Sequence, residues 1–304
     1  MKHPLLLTFA LLATCSHAHA DETPAAQRIA KATAKAADTT YDLHYKFSPS
    51  EIVRTKVIHL VTIETKVQGT TETAKTRSVS TRKWEIEDVD AAGNITFVHS
   101  VEAVDMWQKS SGRQEIHYDS QSNEKPPAEY EHVTESIGVP LATITIDRYG
   151  KIVKRESKRP QFNISIGDVA VPLPGQPIKI GQEWFYPEEI KVRLTDGSVK
   201  PIKARHKFTL QSVETGVATI AAATEILTPV NDPKIQSQLV QKMQRGTIKF
   251  DMDGGRVLSK QMDLDETVIG FNGATSLMQY LARLTEENVS ADEPKTATKP
   301  SDKR

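Results

Sequence analysis

The longest alternating run, EIVRTKVIHLVTIETKVQGTT, places Ile52, Lys56, Ile58, Leu60, Thr62 and Glu64 on one parity and Val53, Val57, Val61, Ile63 and Val67 on the other. Side chains of a strand point alternately to opposite faces, so the run predicts a long strand with one face more buried, ended by a turn at Gly69. In STRKWEIEDVDAAGNITFVHSVEAVDMW, Trp84, Ile86 and Val89 lead up to Asp90-Ala91-Ala92-Gly93-Asn94, and Ile95, Phe97 and Val101 lead away. That turn chemistry predicts a hairpin. Asp196-Gly197 predicts another tight turn between two β-rich runs, because Gly accepts positive φ. NDPKIQSQLVQKMQRG reads as a helix: Asn231 or Asp232 caps it, Pro233 suits its first turn, Ile235, Leu239, Val240 and Met243 form one stripe, and Gly246 stops it. PAEYEHVTESIGVP is a weaker helical candidate before Thr143.

The chain also resembles itself. KWEIEDVDAAGNITF, Lys83 to Phe97, and KFTLQSVETGVATI, Lys207 to Ile220, share spacing around a glycine turn. Downstream, TITIDRYGKIV from Thr143 and TIKFDMDGGRV from Thr247 share Thr-Ile-x-apolar-Asp-x-x-Gly-x-x-Val. Two motifs in the same order suggest a duplication. Gly93 to Thr143 spans 50 residues and Gly216 to Thr247 spans 31. The first half therefore carries about twenty extra residues, expected within 105–132.

The fold class expected is mainly β, with two duplicated, antiparallel, curved-sheet units of half-barrel type, each with a short helix laid across it. The units are expected at 41–160 and 178–286. They are divided by a linker at 161–177 whose VPLPGQP, Val171 to Pro177, resists strand pairing. Residues 21–40 are Ala-rich with few large apolar side chains, and 287–304 lack the apolar content to offset their ordering entropy, so a disordered tail is expected there.

Residues 1–20 have the form of a signal peptide: Lys2, the apolar stretch LLLTFALLA, and Ala18-His19-Ala20 as a small-residue cleavage site. Cleavage there releases a periplasmic or extracellular protein with no cysteine. The alternative is a lipoprotein anchored through Cys15, although Thr14 degrades the lipidation box. The apolar stretch falls far short of the ~20 residues needed to span a bilayer, so no transmembrane span is expected in the mature chain.

Composition adds exclusions. With 39 basic and 39 acidic residues the formal charge is zero, which removes the bulk electrostatic argument for nucleic acid or for an anionic membrane face. His99, Glu102 and Asp105 in HSVEAVD would gather on one side of a helix. On a strand, simple alternation puts His99 and Asp105 on one face and Glu102 on the other, which argues against a metal site. DMDGG, Asp251 to Gly255, reads as a turn rather than a calcium loop, because the further acids at loop spacing are absent. No Gly-x-Ser-x-Gly or other nucleophile pattern occurs. The histidines are scattered, and Glu188-Glu189 has no partner spacing. Trp84, Trp107 and Trp184 read first as core residues. Nothing points to a cofactor, a metal or a catalytic residue.

WEIEDVDAAGNITFVHSVEAVDMW, TITIDRYGKIV, IKIGQEW and ILTPVNDPKI together resemble an uncharacterised family of secreted bacterial proteins of unknown function, over most of the mature chain. That resemblance implies no activity. A curved sheet closed by helices is also similar, at the level of fold, to the half-barrel carriers of lipoprotein localisation, which shelter acyl chains. Two functions stay open: a binding or carrier module for a hydrophobic ligand such as a lipid, and a structural or protein-interaction module of the envelope with a filled core. For the first, the apolar ligand face expected is Ile58, Leu60, Ile86, Phe97, Phe208 and Ile220. An unoccupied apolar cavity supports the first and a filled interior the second.

Overall fold

The computed structural model describes residues 39–159 and 169–289. The expected signal peptide and Cys15, most of the Ala-rich segment, the first part of the linker and nearly all of the tail lie outside the described residues.

The first run of strands is β1 (Ile52–Val67), β2 (Thr70–Val89), β3 (Ile95–Ser110), a short β4 (Ile116–Asp119), β5 (Pro140–Ile146) and β6 (Ile152–Ser157). The second is β7 (Glu183–Arg193), β8 (Val199–Glu214), β9 (Val217–Ile226), β10 (Arg245–Asp251), β11 (Arg256–Ile269) and β12 (Leu277–Asn288). They form one antiparallel sheet of 12 strands in the order β6-β5-β3-β2-β1-β12-β11-β10-β9-β8-β7, with β4 added beside β3. The sheet does not close, so β6 and β7 are its edges. The two runs of strands join where β1 pairs with β12 along most of its length.

Each of the predicted turns connects neighbouring strands. In the β2–β3 turn, Asp90 Oδ1 accepts the amides of Ala92 and Asn94. Asp147 does the same for Tyr149 and Lys151 in the β5–β6 turn, and Asp251 for Asp253 and Gly254 in the β10–β11 turn. DMDGG is thus a turn whose aspartate binds its own backbone. The repeated motifs occupy matching places. Ile86, Phe97 and Ile144 stand in line across β2, β3 and β5. Leu210, Ile220 and Ile248 stand in line across β8, β9 and β10. A register shift follows both Ile86 and Leu210. The extra residues of the first half include β4, and the short α1 (Glu131–Thr134) follows. Its counterpart α2 (Pro233–Leu239) is capped by the Asp232 side chain, which accepts the Lys234 amide, and buries Ile235 and Leu239.

One face of the sheet, here the inner face, carries the main core. It gathers Val57, Ile86, Phe97, Ile144, Trp184, Phe208, Ile220, Phe250 and their neighbours into one buried cluster drawn from the centre and both sides of the sheet. Trp84 stacks on Phe97 with ring centroids 4.3 Å apart, and Trp184 on Phe208 at 5.4 Å, contacts that add to area burial.

The segments outside the sheet close this core. Tyr41 and Ile178 exchange backbone hydrogen bonds, the Tyr45 amide bonds to Arg148 in the β5–β6 turn, and the Lys46 amide bonds to Gly255 in the β10–β11 turn. The Tyr45 hydroxyl donates to the Val171 carbonyl and accepts the Val171 amide. Burial pushes that hydroxyl's pKa well up. A side chain at Gly150, where φ is +83°, would run into the Val171 carbonyl and the Tyr45 ring, so glycine is required there. Within VPLPGQP, Val171 and Leu173 are buried in the core and the Pro172 carbonyl accepts the Trp184 indole N–H. Two smaller apolar clusters lie beyond the main one. One sits under α2 with Val192 and Ile202, and the other lies near α1 with Val101 and Tyr118.

Candidate functional site

The opposite, outer face of the long central strands forms an open groove of about 2390 Å³. Its floor follows from strand alternation. Ile58 lies between Val79 on β2 and Thr285 on β12, Leu60 between Arg77 and Arg283, and Thr62 between Lys75 and Leu281. On β3, Asp105 stands beside Val79 and Trp107 beside Arg77. Ile58, Leu60, Val79, Trp107 and Leu281 therefore make an apolar stripe along the groove, and Leu60 keeps 42% of its surface exposed.

Charged residues flank the stripe and bind one another. Arg54 makes two hydrogen bonds to Glu102, at 2.8 and 3.0 Å. Arg77 and His117 both reach Asp105, each at 2.9 Å. Burial opposes the charge of Asp105, but the hydrogen bonds from His117 and Arg77 outweigh it and hold the carboxyl below its usual range. Arg283 reaches Asp263 at 2.6 Å, and that hydrogen bond lowers the pKa of Asp263 likewise. These pairs satisfy one another, while Lys56, Lys75, Asp119 and Asp265 add further charge around the apolar stripe.

The six positions read from the sequence as one ligand face divide between the two faces. Ile58 and Leu60 line the groove. Ile86, Phe97, Phe208 and Ile220 are 1%, 0%, 5% and 0% exposed and belong to the closed core. Trp84 and Trp184 are core residues as expected, whereas Trp107 lies in the groove.

The parity reading of HSVEAVD is corrected. A bulge at Glu102 lets Thr81 pair with Ala103 while Arg82 pairs with Val101, and one extra residue reverses the alternation. His99 consequently points inward beside Trp84, and Asp105 points outward into the groove. Glu102 reaches Arg54 on the outer side. Among the described residues no group of three or more His, Cys, Asp or Glu side chains could hold a metal ion. No helix among them is long and apolar enough to cross a membrane.

Sequence reasoning missed a polar cluster on the inner face. Glu286 of β12 lies 3.5 Å from Lys260 of β11 and 3.6 Å from Arg82 of β2, with both carboxylate and ammonium nearly buried. His99 adjoins this cluster. Its Nδ1 is covered and has no hydrogen-bond partner. Burial, helped by the positive charges of Arg82 and Arg155, pushes its pKa down to about 4. The members come from distant strands, so no local spacing announces them. A second chain on the same face runs from Thr224 to His206 at 3.3 Å and on to Glu188 at 3.0 Å.

No family model matches the chain, and no curated protein matches it. Among solved structures, it is similar to lipovitellin, in a structure concerned with lipid–protein interactions, with a TM-score of 0.44 and 10% identity over 84% of this chain. The chain spans 27% of the length of that protein. DynF from the dynemicin biosynthesis pathway of Micromonospora chersina gives a TM-score of 0.22 and 6% identity over 84% of this chain and 89% of that one. A DUF1329 family protein from Desulfovibrio piger gives 0.15 and 9% over 77% and 84%. None of these likenesses carries a residue or a role onto this chain.

Proposed function

We propose that this is an exported binding or carrier module of the cell envelope, and that the outer groove takes an elongated hydrophobic ligand such as a lipid acyl chain. The observation that carries this reading is the half-exposed apolar stripe Ile58, Leu60, Val79, Trp107 and Leu281 in a groove of about 2390 Å³. That is larger than the ~300–1,000 Å³ of an ordinary small-molecule site. The pairs Arg54–Glu102, Arg77–Asp105 and Arg283–Asp263 are internally matched, and each CH₂ buried on the stripe contributes ~0.8 kcal/mol. The matching registers of the two motif pairs support duplication as the origin of the sheet. Export rests on the signal sequence, with anchoring through Cys15 as the other outcome, and the resemblance to secreted proteins of unknown function agrees with either.

A filled core and two open sheet edges favour a second reading, a structural or interaction module that meets its partner by edge pairing. Titration of the purified chain with a fluorescent fatty acid separates the two. Saturable binding that Leu60→Asp weakens by about tenfold or more, ~1.4 kcal/mol, and that Val153→Asp on the distant edge strand leaves alone supports the groove. No saturable binding leaves the interaction module.

A further inference from the structure

The chain's zero net charge conceals a local imbalance at the end of the sheet where α2 lies. Between Lys191 and Lys207 six basic residues stand against one acidic residue, Asp196. Arg205 and Lys207 are engaged by Glu225 and Glu183, each at 2.7 Å. Lys191, Arg193, Lys200 and Lys203 are all exposed on the β7–β8 hairpin. The hairpin carries five acids. They are Asp196, whose carboxylate is occupied by the Ser198 amide and hydroxyl, Glu189, which stands opposite Lys203, Glu188, paired with His206 and Lys242, Glu183, paired with Lys207, and Glu214 at the far end of β8. The excess of cations is therefore confined to the part nearest the turn.

An uncharged stretch of the β11–β12 hairpin lies at the same end. From Thr267 to Ala282 the sequence has no Asp, Glu, Lys or Arg, although charged residues make up 26% of the chain. Ile269, 66% exposed, ends β11 at the base of a turn that exposes Asn272, Gly273, Ala274 and Thr275, and Phe271 is half-buried. The helix α2 connects the two hairpins: Gln238 exchanges hydrogen bonds with the Arg193 backbone, and Pro233 packs against Gly270. Val199 and Leu227, 56% and 50% exposed, add to the apolar surface, and the Leu227 amide bonds to the Lys203 carbonyl.

Exposed basic residues on one hairpin beside the exposed apolar Ile269, Val199 and Leu227 and a charge-free turn match an anionic bilayer: the cations meet the headgroups while the apolar side chains enter the acyl boundary. The geometry points to this end as a membrane-docking surface that recognises anionic phospholipid, used without any spanning segment. Neither half suffices alone, because stable attachment takes two signals. The bulk charge that argued against an anionic membrane partner averages out a local excess of exposed cations beside the β7–β8 turn.

The test is co-sedimentation of the full chain with vesicles of phosphatidylcholine alone or with about 30% phosphatidylglycerol. Binding at least about tenfold stronger to the anionic vesicles is expected, falling away in ~1 M NaCl, where the screening length shrinks to about 3 Å. Lys200→Glu combined with Lys203→Glu, and separately Ile269→Asp, should each weaken binding at least about fivefold. Lys151→Glu, in the β5–β6 turn, should not. The substituted side chains are exposed, and unchanged circular dichroism confirms that the variants fold. Equal binding to both vesicle types, no binding to either, or retention by the substituted chains would overturn the proposal. The fatty-acid titration of the groove is read in solution without vesicles, so each proposal can fail alone.

Discussion

Replacing His99 by glutamine should flatten the stability of this protein against pH in a defined window. The ring lies on the inner face beside Trp84, and its pKa falls from the ordinary 6.5 to about 4 through burial and the neighbouring Arg82 and Arg155. As pH drops, the unfolded chain takes the proton first. The stability contributed by a neutral His99 is therefore complete above about pH 6.5, declines below it, and is gone once pH falls through about 4. With those two pKa values, linkage gives a loss of about 2 kcal/mol between pH 7.5 and pH 5 from this side chain alone. Carboxylates such as Asp105 and Asp263 titrate in both proteins, so their contributions cancel in the comparison. Urea unfolding of the wild type and His99→Gln at the two pH values measures the difference of differences. The wild type should lose about 2 kcal/mol more than the variant. Parallel pH dependence would show that His99 is not held neutral by this environment and that the polar cluster around Glu286 is wrongly described.

Other consequences follow from the packing. Phe97→Ala removes a fully buried ring stacked on Trp84 and should cost about 3–5 kcal/mol in urea unfolding, with loss of the near-ultraviolet signal of the stacked indole. Gly246→Ala places a Cβ against the Gln261 carbonyl of the paired strand, and since backbone cannot step aside, a cost of about 3 kcal/mol is expected by thermal melting. Asp232→Ala deletes the side-chain cap on α2 and should cost about 1 kcal/mol while leaving the far-ultraviolet β signal unchanged.

The elements that could be read from the sequence are those whose information is local. Alternation in Ile52–Val67 marked β1, turn chemistry marked the turns at Asp90–Asn94, Asp196-Gly197 and Asp251–Gly255, and Asp232-Pro233 with the Ile235 stripe marked α2, because each pattern states the conformation of its own residues. The groove could not be read so. Its stripe needs Val79 beside Ile58, Leu281 beside Thr62 and Trp107 one strand beyond Arg77, and those neighbours are set by register between strands far apart in the chain. Choosing β-branched and aromatic residues by type mixed two faces: Ile58 and Leu60 have the parity of the groove, while Ile86 and Phe97 have that of the core. The bulge at Glu102 then reversed the alternation on which the placement of His99 and Asp105 rested. The cluster of Arg82, Lys260 and Glu286 joins β2, β11 and β12 across the seam between the two runs of strands, a pairing that local spacing does not encode.

The groove itself is tested most directly by photo-crosslinking the purified chain with a diazirine-bearing long-chain fatty acid and mapping the labelled peptides by mass spectrometry. Labelling should saturate, be competed by unlabelled fatty acid, and fall on Leu60, Val79, Trp107 and Leu281 of the outer face. Saturable labelling at Ile86, Phe97, Phe208 or Ile220, or labelling that never saturates, would contradict the groove as the ligand site.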